Sequence, residues 1–335
     1  MANVTMRDIG NRVGVSAVTV SKALAGKSGV SEEMRQRIIQ AAAEMGYVNP
    51  NASLAVQERK LDVGILVPDH FFSGDSFYFT FYRHLVQTLT DAGHFGLMEL
   101  LSKENDAKLE LPNLIRHGRV DALILLGQPS REYIRMIAQQ PLPVVFLDFF
   151  DESAAADAVV GDNTYGTCRL TNHLIKNGHR DIGFVGNCRS TTSIMDRYLG
   201  FFRAMLSHGL TIREECIIPD RSDEGDDVPL LLPEKLPTAF VCNCDIVALR
   251  LIGQLRERGI RVPEDVSVVG FDDFLPGAPQ SPSLTTFRVD FHTMSQLAVK
   301  LLADRCAGMQ RPFGRVVVSG QPVYRDSERA LSAEE

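Results

Sequence analysis

Hydroxyl and cationic side chains gather in one short stretch near the start of the chain. Ser16, Thr19 and Ser21 carry hydroxyls and Lys22 carries a positive charge, with the hydroxyl of Thr5 a little upstream. Hydroxyls and backbone N–H groups hold phosphates, whereas other side chains read base edges in the major groove of DNA. This group of residue types points to a surface that binds nucleic acid.

Three short helices are predicted to position these side chains. Thr5 and Asp8 form a capping box at the start of the first helix, and Gly14 ends that helix. Ser16 can cap the second helix and Ser31 the third. Two short helices joined by such a turn form a helix-turn-helix pattern. A three-helix domain without DNA-binding function would share the apolar spacing. Only the polar residues distinguish a DNA-binding domain from such a domain.

The charge of the chain is unevenly distributed. The whole sequence of 335 residues has a net charge of −7. Residues 1–60 carry eight Lys/Arg against five Asp/Glu, a net of +3, so the remainder, with 27 against 37, carries −10. A short basic head on an acidic body favours an anionic partner for the head.

Composition excludes several other classes of protein. Hydrophobic residues make up 44% and charged residues 23% of the chain, as in folded globular proteins. No apolar run reaches the length of a membrane span, and the opening MANVTMRDIG contains no signal peptide. Six scattered cysteines predict reduced thiols, and Cys242-Asn-Cys244 alone supplies too few ligands for zinc. We therefore expect a cytoplasmic protein with no cofactor, no metal and no membrane contact.

The motifs of common enzyme classes are missing from the sequence. The chain contains no Walker A sequence, no G-x-S-x-G, no H-E-x-x-H and no G-x-G-x-x-G after a strand. Asp272 and Asp273 are adjacent, so on a strand their carboxylates would point apart. We therefore expect no enzymatic activity.

From Leu61 onward, apolar runs alternate with amphipathic stretches. This alternation predicts parallel sheets with helices on both faces. There are too many strands for one sheet, and helical patterns around 164–178 begin a second series. The predicted strands are Val63–Pro68, Phe95–Leu100, Ala122–Leu126, Val144–Asp148, Ile182–Gly186, Ala239–Cys242, Val266–Phe271, Thr285–Val289 and Val316–Ser319.

The start of the chain resembles the N-terminal domain of the lactose/galactose-repressor (LacI/GalR) family of bacterial transcription factors. The resemblance rests on Asp8, Ile9, Val13-Gly14-Val15-Ser16, Thr19-Val20-Ser21, Leu24, Val30-Ser31, Arg35, Ile38, Ala41 and Gly46-Tyr47. It implies that the second helix is the recognition helix. Ala17 and Val18 would contact thymine methyl groups and Lys22 would donate to guanine. The expected phosphate contacts are the hydroxyls of Thr5, Ser16, Thr19, Ser21 and Ser31.

Next in the family comes a hinge helix that inserts an apolar side chain into the minor groove. The corresponding segment, Asn49-Pro50-Asn51-Ala52-Ser53-Leu54-Ala55-Val56-Gln57, departs from the family pattern and lacks its arginine. Val56 falls where the inserting leucine should be, and Leu54 is a register shift away. An ordinary linker helix is the alternative interpretation.

The remainder resembles the effector domain of the same family, which is akin to periplasmic sugar-binding proteins. The matching segments are Gly64-Ile65-Leu66, Val120-Asp121-Ala122, Gly178-His179-Arg180, Arg197-Tyr198-Leu199-Gly200-Phe201, the stretch 262–272 and Leu284-Thr285-Thr286. The resemblance implies an α/β body of two doubly wound, parallel-sheet lobes behind a small all-α helix-turn-helix head. It implies a DNA-binding domain at 1–48, a hinge at 49–60 and an effector domain at 61–330. Lobe one would span about 61–160 and 290–318, and lobe two about 161–287 and 319–330.

The resemblance also selects residues of a ligand cleft between the lobes. Arg197 would grip vicinal hydroxyls or a carboxylate, and Asp272 would accept hydrogen bonds from ligand hydroxyls. Asp148 and Asp245 also end strands at the cleft, although each carboxylate could instead cap the following helix, the interpretation we favour for Asp245. The aromatic segment from Asp69 to Phe79, which includes Phe77, forms either a wall of the pocket or part of the core.

Together these features predict a ligand-responsive transcriptional regulator. We expect a homodimeric repressor of a sugar-utilisation operon that binds double-stranded, near-palindromic operator DNA. The expected effector is a sugar or sugar derivative. The alternatives are a regulator that senses a nucleoside, a purine or a protein corepressor, and a solute-binding protein without DNA function.

Overall fold

The structure is a computed structural model that describes residues 4–24, 29–45, 47, 60–72, 76–274 and 282–332. The chain divides into two compact units, Met1–Lys60 and Leu61–Glu335, which we call the head and the body. Leu54 and Val56, the predicted hinge residues, lie outside the described residues.

The described residues of the head form three short helices around a small apolar core. They are α1 (Met6–Val13), α2 (Ala17–Leu24) and α3 (Glu32–Glu44). The buried core residues are Ile9, Val20, Ala23, Ile38, Ala41 and Ala42. Thr5 and Asp8 form the predicted capping box, and Gly14 ends α1 at a φ of 82°, so both predictions are confirmed. A Cβ on Gly10 would lie 2.6 Å from the Val15 carbonyl oxygen, which is why a glycine lets α1 approach the turn so closely.

The body contains two parallel sheets and one small antiparallel ribbon. The first sheet comprises β1 (Asp62–Pro68), β2 (Phe95–Leu101), β3 (Ala122–Leu126), β4 (Val144–Leu147), β5 (Asp157–Gly161) and β11 (Arg315–Val318), in the order β11-β5-β4-β3-β1-β2. The second comprises β6 (Ile182–Val185), β7 (Ile217–Ile218), β8 (Ala239–Cys242) and β9 (Ser267–Val269), in the order β7-β6-β8-β9. The ribbon pairs β10 (Thr286–Arg288) with β12 (Gln321–Val323). Within the first sheet, Val63 lies opposite Gly96 on one side and Ala122 on the other.

Helices cover both faces of each parallel sheet. They are α4 (Phe77–Asp91), α5 (Lys103–Ala107), α6 (Asn113–Arg116), α7 (Arg131–Ala138), α8 (Asn163–Lys176), α9 (Thr192–Ser207), α10 (Asp245–Glu257) and α11 (Phe291–Cys306), with short 3-10 helices at Asp69–Phe71 and Glu214–Cys216. Helices α8 and α9 pack especially closely, because a Cβ on Gly200 would lie 2.3 Å from the Thr164 carbonyl oxygen.

The chain crosses between the two sheets three times. Strand β5 belongs to the first sheet, whereas α8, which follows it directly, packs on α9 and β8. After β10 the chain returns, since α11 packs against α4, β4 and β5. Strand β11 joins the first sheet, and β12 then pairs with β10. We call the first sheet with its helices lobe one and the second sheet with its helices lobe two.

Candidate DNA-recognition surface and ligand cleft

Helix α2 presents a mixed apolar and cationic face to solvent. Val18 is 66% exposed, although it is a large aliphatic residue, while Val20 and Ala23 are buried in the head. Ser21 and Lys22 are exposed and lie three and four residues after Val18, on the same face of the helix. An exposed valine beside a lysine suits contact with a thymine methyl and a guanine in the major groove. Among the predicted base contacts, Ala17 is half-buried.

Three of the five predicted phosphate-binding hydroxyls, those of Thr5, Ser16 and Ser31, also cap helices, whereas Thr19 and Ser21 lie within α2. Thr5 Oγ1 donates to Asp8 Oδ2 at 2.6 Å. Ser16 Oγ accepts from the Thr19 backbone N–H at 3.1 Å and lies 2.9 Å from the Thr19 hydroxyl. Ser31 Oγ accepts from the Met34 N–H at 3.4 Å. These hydroxyls therefore sit at helix N-termini, where exposed backbone N–H groups and the helix dipole favour an anion such as phosphate.

In the body, four polar side chains from both lobes meet below the cleft, and we call them the cleft floor. Tyr78 lies on α4 and Asp148 directly follows β4, while Arg197 lies on α9 and Asp272 follows β9. The Tyr78 hydroxyl donates to Asp148 Oδ2 at 2.9 Å. Arg197 Nη2 lies 3.1 Å from Asp272 Oδ1. Because both aspartates follow the carboxyl ends of parallel strands, the floor occupies the position where open α/β sheets bind ligands.

Arg197 contacts several other groups in and around the floor. It is 5% exposed, donates from Nε to Asn163 Oδ1 at 2.8 Å and from Nη1 to the Asn243 carbonyl at 2.6 Å. Its guanidinium carbon lies 4.0 Å from the centre of the Phe271 ring. With the ion pair to Asp272, all three guanidinium nitrogens have protein partners.

Burial perturbs the floor carboxyls strongly. Removal from water raises the pKa of Asp148 to about 6, against the opposing effects of Arg197 and the Tyr78 hydroxyl. Burial raises the pKa of Asp272 to about 7, with Arg197 opposing and the charge of Asp148 adding to the rise. The pKa of the Tyr78 hydroxyl is also raised by burial and by Asp148. Two buried carboxylates therefore share one guanidinium, and a ligand that donates hydrogen bonds would stabilise both.

The backbone at the two aspartates is unusual. Asp148 has a φ of 72° and Asp272 a φ of 112°, and Asp273 follows with a φ of 52°. Positive φ values cost residues other than glycine about 1–3 kcal/mol and cluster at binding sites. With this backbone conformation, the Asp148 carboxylate lies beside the Tyr78 hydroxyl and that of Asp272 beside Arg197.

The Asp245 carboxylate has a structural role beside the floor, because protein groups already donate hydrogen bonds to it. It accepts from the Thr286 hydroxyl at 2.5 Å and from the Phe274 N–H at 2.8 Å. Burial raises its pKa well above the ordinary value. Neither donor belongs to the first turn of α10, so the carboxylate does not cap that helix as we had favoured. It instead fixes the 270–274 loop that carries Asp272.

The two predictions from the aromatic segment fall outside the floor. Asp69 begins a 3-10 helix, its side chain is 44% exposed, and its Oδ1 lies 3.9 Å from His70 Nδ1. Phe77 packs edge-on against Phe81 and Phe291, with centroid distances of 6.0 and 5.0 Å. Phe77 is partly buried against the core of lobe one, which favours the second of the two interpretations, and its ring centroid also lies 6.5 Å from that of Phe274 in lobe two.

An open cavity of about 720 Å³ lies between the lobes above this floor. None of the six predicted effector residues lines it. Its walls include His70, Phe71, Lys103, Asp106, Gln128 and Arg131 from lobe one and Cys188, Arg189, Thr192, Met195, Arg221, Asp223 and Asp226 from lobe two. The sequence thus led to the floor and missed the walls.

Phe71 connects wall and floor. Its ring stacks on Tyr78 with centroids 4.7 Å apart, and Tyr78 in turn donates to Asp148. Both rings pack on Gly127, where a Cβ would lie 2.9 Å from Phe71. The glycine, at a φ of 85°, thereby leaves room for an aromatic wall directly above the floor.

The lobes touch at the rim of the cavity. Gln128 Oε1 accepts from the backbone N–H of Thr192 at 2.9 Å and from its hydroxyl at 3.1 Å. Lys103 forms an ion pair with Asp226. Both contacts join lobe one to lobe two and hold the cavity walls together.

The described residues also bear on metal binding and on membrane crossing. No group of three or more His, Cys, Asp or Glu side chains there could hold a metal ion. No helix in the described part of the chain is long and apolar enough to cross a membrane.

Comparison with known proteins identifies the same two parts. Residues 5–51 match the family model of bacterial regulatory proteins of the lacI family, and residues 171–328 match that of the periplasmic binding protein-like domain. The chain is 31% identical over 312 residues to the HTH-type transcriptional repressor PurR of Glaesserella parasuis, covering 90% of this chain and 89% of the relative. It is 28% identical over 338 residues to PurR of Histophilus somni, covering 98% and 99%.

Solved structures show the same fold. The lac repressor dimer bound to operator and the anti-inducer ONPF matches with a TM-score of 0.66 at 22% identity, over 98% of this chain and all of that one. The complex of the transcriptional regulator CelR with cellobiose matches with a TM-score of 0.68 at 22% identity, over 97% and 100%. The predicted fold class, a helix-turn-helix head on a two-lobed α/β body, is confirmed. The chain belongs to the lacI family of bacterial regulatory proteins.

Proposed function

We propose that this protein is a transcriptional repressor that binds a near-palindromic operator as a homodimer and responds to a small molecule held in the cleft. The DNA-binding part of the proposal rests on the exposed face of α2, where Val18 and Lys22 project from a helix with buried Val20 and Ala23 on its other side. One head offers few phosphate contacts, so two heads on two half-sites are needed for specific affinity.

The cleft floor favours a neutral ligand that is rich in hydrogen-bond donors. Asp148 and Asp272 supply acceptors from opposite lobes, and Arg197 supplies the one guanidinium between them. An anionic ligand would add negative charge beside two buried carboxyl groups whose pKa values are already raised, whereas sugar hydroxyls would donate hydrogen bonds to them. We therefore propose a sugar or sugar derivative as effector and a sugar-utilisation operon as target.

A nucleoside or purine is the second candidate, and Phe71 favours it. The Phe71 side chain lines the cavity and its ring is held in place by stacking on Tyr78. A base can stack on an aromatic wall while donor groups of the ligand reach the floor. Similarity to the repressors named PurR agrees with this candidate as well.

Selection of binding sites from a random duplex pool, at two salt concentrations, tests the DNA-binding function. We expect a near-palindrome whose affinity falls steeply with salt, because phosphate contacts release counterions. Lys22→Ala is the matched variant and should select a site that is degenerate at one base pair in each half. Failure to recover any preferred sequence, with and without candidate ligands, would contradict the proposal.

Titration of the selected complex with neutral sugars and nucleosides tests the effector class. Phe71→Leu separates the two candidates, because it removes the aromatic face and keeps an apolar wall. We expect it to weaken nucleoside binding by about tenfold, as loss of stacking does, and to leave sugar binding within about threefold. A response to sugar phosphates alone would refute the neutral-ligand proposal.

A further inference from the structure

The last turn of the recognition helix is bound by a side chain from the neighbouring helix. The carbonyls at the end of a helix have no partner within the helix and carry its negative dipole end. In α2 the carbonyl oxygen of Ala23 accepts a hydrogen bond at 2.9 Å from Nη1 of Arg35, which lies in the first turn of α3. A charged donor on such a carbonyl forms one of the stronger types of hydrogen bond.

The direction of Arg35 distinguishes it from other cations of the head. Arg35 is half-buried and its guanidinium reaches inward to α2. Arg7, Arg37 and Lys22 are exposed. Arg35 is therefore engaged with the protein, on the side of α2 opposite to the exposed face.

The hydrogen bond from Arg35 is made at the residue next to Lys22, the cationic residue of α2. Ala23 is 2% exposed and immediately follows Lys22, whose side chain is exposed to solvent. A shift of the Ala23 carbonyl would move the Cα of Lys22 with it. Lysine reads guanine only when its ammonium reaches the O6 and N7 acceptors, so a small displacement lowers discrimination between bases.

We propose that Arg35 is a positioning residue that fixes the recognition helix through the Ala23 carbonyl and thereby sets sequence discrimination without contacting DNA. This proposal rests on the proposed DNA-binding function. It distinguishes Arg35 from a phosphate-binding arginine, which would raise affinity for every sequence equally.

The test compares two duplexes of equal length, the one selected by the wild-type full chain and a scrambled version, over a series of salt concentrations. Arg35→Met removes the guanidinium and keeps the apolar stem. We expect it to lose about tenfold in affinity for the selected duplex and less than about threefold for the scrambled one, with the salt slope on the scrambled duplex unchanged. Arg35→Lys, which keeps a cationic donor, should recover part of the discrimination.

Arg37→Met is the matched control, because it removes one exposed charge from the same helix. It should change both duplexes by the same factor. If Arg35→Met instead weakens both duplexes equally and lowers the salt slope by about 0.9, Arg35 contacts a phosphate and the proposal is wrong. Unchanged affinity for both duplexes would also overturn it. If circular dichroism shows that Arg35→Met unfolds the head, Arg35→Lys tests the proposal instead. It should lose affinity for the selected duplex more than for the scrambled one, by a smaller factor than expected for Arg35→Met.

Amide hydrogen exchange separates this proposal from the function on which it rests. If the wild-type chain selects no duplex, sequence-specific binding fails, but the positioning role still predicts faster exchange at the end of α2 in Arg35→Met than in Arg37→Met. Equal exchange at Ala23 and Leu24 in the two variants would refute the positioning role.

Discussion

Replacement of Asp148 by asparagine should make the protein more stable in alkaline solution. Burial raises the pKa of Asp148 to about 6 from an ordinary value of 3.8. Between these two values the folded protein keeps a proton that the unfolded chain has released. The folded state therefore binds more protons there, so the free energy of unfolding falls as pH rises through this interval and levels off above the folded pKa.

The size of the effect follows from the two pKa values. For a change from 3.8 to about 6, the cost to folding is about 3 kcal/mol at pH 8 and about 0.5 kcal/mol at pH 4. Asparagine is neutral at both pH values, can accept the Tyr78 hydroxyl, and tolerates the φ of 72° at position 148. Asp148→Asn should therefore gain about 1–3 kcal/mol more at pH 8 than at pH 4. Relief of the repulsion between Asp148 and Asp272 acts in the same direction.

The assay is urea unfolding of the full chain at a series of pH values between 4 and 8. The chain has no tryptophan, so tyrosine fluorescence and circular dichroism report the transition. Asp91→Asn is the matched control, because Asp91 ends α4 with its side chain in solvent. A difference between Asp148→Asn and wild type that stays constant from pH 4 to pH 8 would refute the reasoning, since a carboxyl of ordinary pKa gives no such change.

Four further substitutions test the recognition helix, the cleft floor and the predicted hinge. Lys22→Ala should cost about 1–3 kcal/mol of operator binding and relax preference at one base pair, measured with single-base variants of the selected duplex; a uniform loss over all sequences would mean that Lys22 contacts phosphate only. Arg197→Met leaves Asp272 without its buried partner, so it should lower the free energy of unfolding by about 3–5 kcal/mol and abolish the ligand response while operator affinity persists. Leu54→Ala and Val56→Ala test hinge insertion, and the inserting residue should lose affinity and DNA bending when replaced; if neither variant changes either quantity, no side chain is inserted.

The helix boundaries and the exposed face of the head could be predicted from local sequence signals. Thr5 with Asp8, and Gly14 after the first helix, are signals whose geometry depends on only a few neighbouring residues. The exposure of Val18 also follows from helical spacing once Val20 and Ala23 are placed inside. What the sequence did not show is the hydrogen bond from Arg35 to the Ala23 carbonyl, because it joins two helices and depends on how they pack.

Dependence on distant contacts also explains why strand β5 was not predicted from the sequence. Strand β5 begins with Asp157, which is 0% exposed, and an aspartate lowers any strand prediction. The carboxylate is stabilised by Arg305 Nε at 2.8 Å and Arg311 Nη2 at 3.0 Å, and by the Gly314 N–H at 3.1 Å. These partners lie about 150 residues away in the sequence, so pattern alone could not reveal that the charge is buried in pairs.

In the ligand cleft, the floor residues could be predicted from the sequence and the wall residues could not. The floor residues Asp148 and Asp272 each follow a parallel strand, so their place at the ligand-binding ends of their two sheets follows from the strand pattern, and the two-lobed arrangement implied by the family resemblance brings those ends together. The walls come from loops of both lobes, among them those with Gln128 and Thr192. Their meeting depends on how far the lobes have closed, which strand and helix periodicity does not encode.

The contacts between the lobes define what an effector must do. A ligand can shift a conformational equilibrium only by the difference between its affinities for the two states. The bonds from Thr192 to Gln128 and the exposed ion pair between Lys103 and Asp226 are worth only about 1–3 kcal/mol together, because each replaces contacts with water. A ligand that donates to Asp148 in lobe one and Asp272 in lobe two at once gains comparable energy only when the lobes are close. Such a ligand would favour the closed lobes by an energy of the same size as these two contacts, whereas one that touches a single lobe would not.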